Sequence, residues 1–96
     1  MSASCPMVYH ADIEGHFDWE PGHFGFGPEQ IEGRRLCYMV LPNGSLCILP
    51  VIAHRKENQA WEWDGNIERP TFRPSILHHS TPEWHGFVTD GQMVGA

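Results

Sequence analysis

"RRLCYMVLPNGSLCILPVI" (residues 34–52) decides the fold. Two runs rich in β-branched, aromatic and aliphatic residues, 36–41 and 45–52, flank Pro42-Asn43-Gly44. Asn-Gly tolerates the positive φ of a tight turn, so the stretch predicts a β-hairpin. Downstream the same signals recur. "WEWDGN" (61–66) reads as a short alternating strand closed by an Asp64-Gly65 turn. In "ERPTFRPSIL" (68–77), Pro70 and Pro74 each lack a backbone donor, which predicts an extended segment at a sheet edge. "WHGFVTDGQMV" (84–94) predicts a strand, an Asp-Gly turn and a return strand.

Upstream, "EPGHFGFGPEQ" (20–30) carries Gly and Pro punctuators that end the first strand candidate, and "PEQIEGRR" (28–35) offers one helical turn opened by Pro28. Short strands with frequent turn signals predict a mainly β protein, a single small sandwich or barrel-like domain of short antiparallel strands and hairpins. At most one helical turn is expected. A chain of 96 residues has room for one core, spanning 1–96, and four Trp and five Phe can supply it. Trp61 and Trp63, at i and i+2, share a face and are expected to form a core layer with Phe72 and Phe87. Trp84 is expected to stay partly exposed.

Charge divides the chain into an acidic N-terminal third, 1–33, and a core part, 34–96. The first holds six acids and no Lys or Arg; the second holds six acids and six bases, so the net −6 sits in the first third. Such a field disfavours direct nucleic-acid binding and attracts a basic partner surface. In "HADIEGHFDWE" (10–20), alternate residues are His10, Asp12, Glu14, His16, Asp18 and Glu20. Period-2 alternation predicts a strand with these groups on the wet side and Ile13, Phe17 and Trp19 inward. Neighbours on one strand face lie about 6.6–7 Å apart, so a pair can chelate an ion but all six cannot converge.

Three cysteines, Cys5, Cys37 and Cys47, form no Cys-x-x-Cys pair, and reduced thiols of a cytoplasmic protein are expected. The start lacks a basic n-region with an apolar run, and no stretch approaches a membrane span.

The run "WEWDGNIERPTFRPSIL" followed by "WHGFVTDGQM" resembles a family of small phage and prophage proteins, many mislabelled ammonia monooxygenase. The shared pattern falls on Trp61, Trp63, Gly65, Pro70, Thr71, Phe72, Pro74, Ser75, Ile76, His85, Phe87, Val88 and Gly91. The resemblance implies a fold and a phage origin, but no reaction. It also implies a metal knuckle, Cys-x-x-Cys-Gly-x-x-His, with a further Cys before the later His. In one register the knuckle falls on Val40, Asn43, Gly44 and Cys47. In the other it falls on Cys47, Pro50 and His54, while the later Cys position is Trp84. Most thiolates are missing either way, so the resemblance implies a degenerate metal site.

Three chemistries remain open. A rebuilt zinc site would draw on Cys47, His54, His78 or His79, and His85, since zinc accepts mixed Cys/His sets. Nucleophilic catalysis has Cys5, Cys37 and Cys47 as nucleophiles and seven histidines as bases, with no pair marked. Binding through an acidic surface would use Asp12, Glu14, Asp18, Glu20 and Trp84. The sequence favours the last: a phage-type protein without cofactor that contacts a basic host protein or protein–nucleic-acid complex, as an anti-CRISPR or other anti-defence inhibitor does. The alternative is a zinc-binding structural module or a metal-dependent hydrolase.

Overall fold

The computed structural model describes residues 4–31, 34–52, 60–79 and 82–96. Nine strands are found among them: β1 (Ser4–Pro6), β2 (Val8–His10), β3 (His23–Ile31), β4 (Arg34–Val40), β5 (Leu46–Ile52), β6 (Trp61–Trp63), β7 (Phe72–His78), β8 (Trp84–Thr89) and β9 (Gln92–Gly95). They make a single sheet in the order β1-β9-β8-β7-β6-β5-β4-β3-β2. The two edge strands belong to one N-terminal segment broken at Met7. Met7 N donates to Gly91 O at 2.9 Å and Val8 N donates to Gly22 O at 3.0 Å, so this segment stitches the first edge to the last. The result is a nearly closed barrel. Closure leaves few unpaired backbone groups, the usual liability of a sheet this size.

The hairpin forms as the sequence predicts. β4 and β5 pair antiparallel with Val40 opposite Leu46 and Met39 opposite Cys47. Gly44 takes φ 86°, and the Asn43 side chain accepts a hydrogen bond from Ser45 N at 3.0 Å while donating to Pro82 O at 2.7 Å. The Asn43 amide thus fixes the turn and ties it to the β7–β8 connection. Inward positions of successive strands alternate: Phe24 and Phe26, Cys37 and Met39, Cys47, Leu49 and Val51, Phe72 and Ile76, Val88, and Met93 fill the interior. Each large side chain removed from water there contributes about 1.5–3 kcal/mol.

Several expectations fail for identifiable reasons. The Gly- and Pro-punctuated stretch 20–30 does more than end a strand: from His23 onward it is itself β3, in the barrel wall. Its glycines are there for packing, not turning. A Cβ on Gly25 would lie 2.9 Å from His10 O and 3.0 Å from Trp19 Cη2, and one on Gly27 would lie 3.1 Å from Tyr38 Cε1. The helical turn expected at Pro28 is absent, and a 3-10 turn forms at His16–Asp18 instead.

The stretch 10–20 is not a strand beyond His10. Asp12 Oδ1 accepts from Glu14 N at 3.0 Å and Gly15 adopts φ 80°, turning the chain over the outside of β3 and β4. Phe17 is consequently 87% exposed, not in the core, while Trp19 is half-buried and stacks on His10 with centroids 4.5 Å apart. The segment carrying Pro70 and Pro74 is no edge: β7 lies between β6 and β8. Phe87 faces out at 49% exposure, so the aromatic layer is Trp63, Phe72 and Phe26 without it. Among the described residues no helix is long and apolar enough to cross a membrane.

Candidate functional site

The most distinctive local geometry sits where β7 passes β8. Phe72 pairs with Val88 and Ile76 with Gly86, so four steps along β7 match two along β8. Arg73, Pro74 and Ser75 therefore bulge opposite Phe87 alone. A bulge needs no ladder donor from its extra residues, which is why Pro74 is tolerated inside the sheet. Bulges also redirect side chains, and this one turns Ser75 outward toward the next strand.

On that outer wall, Ser75 Oγ and His85 Nε2 stand 3.2 Å apart. Ser75 is half-buried and His85 exposed. The serine backbone is held by Trp61, whose indole Nε1 donates to Ser75 O at 3.3 Å. His85 is held by β9, since Ala96 N donates to His85 O at 2.9 Å. Beside Ser75 opens a cleft of about 400 Å³ lined by Phe72, Arg73, Pro74, Phe87 and Thr89. Leu77, across from His85 in register, and Phe87 flank the pair as exposed apolar groups. Among the described residues no carboxylate forms an ion pair with His85, and the contact seen is the one between Ser75 and His85.

The residues singled out from sequence fall elsewhere, with one exception. Asp12, Glu14 and Asp18 are exposed on the loop after β2, and Glu20 is exposed just before β3. An open cleft of about 650 Å³ lies under this loop, reaching Phe26 and Arg35. Trp84 is half-buried against the core and covers Gly86, so it is no free-standing anchor. Of the zinc candidates, Cys47 points into the barrel, His85 faces Ser75, and His79 Nδ1 pairs with Glu83 Oε2 at 2.7 Å. His54 lies outside the described residues. Among the described residues no three His, Cys, Asp or Glu side chains converge as a metal site.

The cysteines fare no better as nucleophiles. Burial pushes the Cys47 thiol up to about 11 and raises Cys37 further, with Cys47 beside it adding to the effect. Cys5 is half-buried, and burial raises its thiol too.

His85 appears among the sequence candidates, but as a metal ligand; Ser75 does not. The signal that finds both lies in the resemblance pattern, whose Pro-Ser-Ile and His-x-Phe-Val segments carry them ten residues apart. A serine between a proline and an isoleucine has no spacing rule that marks it, and the bulge is invisible without the register.

Fold and site together define a small barrel-like β domain bearing a serine–histidine pair on its outer wall. The model of one family, described as bacterial ubiquitination-like system serine protease (BubE), matches residues 14–96, and the chain belongs to that family. No curated protein and no solved structure matches the chain.

Proposed function

We propose that this protein is a serine hydrolase acting on peptide bonds, with Ser75 as nucleophile and His85 as general base, serving a bacterial ubiquitination-like system. The observation that carries the reading is the 3.2 Å contact between Ser75 Oγ and His85 Nε2. Serine is inert until a neighbouring base takes its proton, and resting sites commonly hold this bond slightly long. The family description supports the same chemistry. The reading departs from the non-catalytic expectation drawn from sequence.

In the first half-reaction Ser75 Oγ bonds to the substrate carbonyl carbon while its proton passes to His85. The amide C–N bond then breaks, and His85 returns the proton to the departing amine. Water repeats the sequence on the acyl-serine: its proton goes to His85, its oxygen to the carbonyl, and the proton back to Ser75. No described carboxylate is ion-paired to His85, and the wall is open to water. A bound chain lying over Leu77 and Phe87 would cover the pair and strengthen its electrostatics.

The test is a fluorophosphonate probe, which traps an activated serine. Labelling should map to Ser75 by peptide mass spectrometry and disappear in Ser75→Ala and His85→Ala, with melting temperatures near wild type. Full labelling of folded Ser75→Ala would end the proposal.

A binding role for the acidic loop is a second reading. It is favoured by Phe17, an aromatic left 87% exposed between Asp12, Glu14 and Asp18 above an open cleft. Large exposed aromatics rimmed by charge mark contact surfaces, and the partner would carry a basic one.

A further inference from the structure

We propose that the cleft beside Ser75 selects its substrate, taking a bulky apolar side chain next to the scissile bond and a carboxylate within a residue or two of it. The inference rests on the reading of Ser75 and His85 as the hydrolytic pair, and it assigns specificity to Arg73, Phe72 and Phe87. The cleft holds about 400 Å³. Small-molecule sites run from roughly 300 to 1,000 Å³, so this one has room for a side chain or two and not for a folded surface. Its floor is apolar. Phe72 is buried beneath it, and Phe87 stands at its side half-exposed, a costly way to leave an aromatic unless something covers it.

Its rim is cationic, and that charge is uncommitted. Arg69 pairs with Asp90 at 3.4 Å, Arg35 lies 4.7 Å over the Phe26 ring, and Arg34 is engaged as well. Arg73 forms no ion pair among the described residues. Glu62, its cross-strand neighbour, is engaged elsewhere. Arg73 is exposed, two residues before Ser75, at the start of the bulge that aims the serine. In a chain of net charge −6, long-range steering works against an acidic substrate, so any preference for a carboxylate must come from local contact. A guanidinium offers the planar fork that suits a carboxylate. Both an Asp or Glu side chain and a free chain terminus present that group.

The experiment is a mixed peptide library digested by the full chain and read by mass spectrometry. Fluorophosphonate labelling of Ser75 in the same preparation checks the underlying reading. Wild-type protein should cut beside large apolar residues with an acid close by. An exposed ion pair shifts such a preference by up to roughly fivefold. Arg73→Gln should flatten the ratio of acidic to basic peptides cut, and Arg73→Glu should invert it. Phe87→Ala should erase the preference for bulky residues while the acid preference persists. Cleavage depending on an internal acid identifies a side chain as the source; cleavage only near the C-terminus, lost on amidation, identifies the terminal carboxylate. Labelled protein that cuts without regard to charge, that cuts none of the library, or that keeps its profile in Arg73→Glu overturns the inference alone. Absence of Ser75 labelling removes both.

Discussion

Raising the pH should cost this protein stability through two cysteines, by an amount the barrel geometry sets. Cys37 and Cys47 place their thiols inside, 0% and 3% exposed. Burial holds the folded Cys47 thiol protonated up to about 11, against 9.0 for the free group, and Cys37 beyond that. Between those limits the unfolded chain has released protons that the folded chain still holds. Stability is therefore fully present below about pH 9 and falls as the pH rises toward about 11. At about pH 10 each thiol costs on the order of 1 kcal/mol, so the pair costs about 2–3 kcal/mol. That is a large share of the 5–15 kcal/mol or so typical of a whole domain. Urea unfolding followed by tryptophan fluorescence measures it at about pH 8 and about pH 10. Replacing both residues in Cys37→Ala/Cys47→Ala removes a little packing at either pH, and every other side chain is common to both proteins. The quantity of interest is the difference between the two pH-dependent losses. Wild type should lose about 2–3 kcal/mol more than the double variant. Equal losses would show that the thiols are not held protonated by burial, and would reopen cysteine as a nucleophile.

Two further outcomes follow from particular contacts. Gly86→Ala should destabilise by about 1–3 kcal/mol and lower the melting temperature by at least about 5 °C, because its Cβ would collide with Val94 O and the Trp84 ring. The variant should also lose fluorophosphonate labelling, since Gly86 adjoins His85 in β8; an unshifted melting curve would refute the close packing. Replacing Asp12, Glu14, Asp18 and Glu20 together by Asn and Gln should leave melting within about 2 °C, as all four are exposed. If the loop binds a basic partner, a pull-down with this variant should lose that partner, and the wild-type interaction should weaken with salt; retention at wild-type affinity would refute the loop's role.

Where sequence and fold agree, a short-range rule was enough. Asn43-Gly44 and Asp90-Gly91 each need a turn conformation that few residues adopt, and both turns form. Inward alternation in β4 and β5 follows from Cys37 and Met39 on one strand and Cys47, Leu49 and Val51 on the other. Where they disagree, the deciding contact is distant in sequence. Gly25 and Gly27 look like loop punctuation until Trp19 and Tyr38 are seen against them. The alternation of residues 10–20 fits a strand equally well, but Gly15 at φ 80° and the Asp12–Glu14 hydrogen bond form a turn first. Phe17 shows the cost of trusting period alone: the pattern puts it inside, and the turn puts it in water.

The site shows the same division more sharply. Pro70 and Pro74 do carry information, but it is easily misread. A missing donor is compatible with an edge or with a bulge, and only the pairing partner distinguishes them. With β8 alongside, the bulge stands at Arg73–Ser75, and Pro74 sits within it beside the Ser75 hydroxyl. In sequence alone, His85 fits a metal ligand or a base equally, because the group it faces is ten residues away. With Ser75 opposite, the general-base role proposed for His85 Nε2 is a matter of contact and not of spacing. The acidic loop follows β2, the Ser75–His85 pair lies on β7 and β8, and no described contact joins them. Charge placement and the Ser75–His85 contact are therefore separate features of this fold, one read from composition and the other only from register.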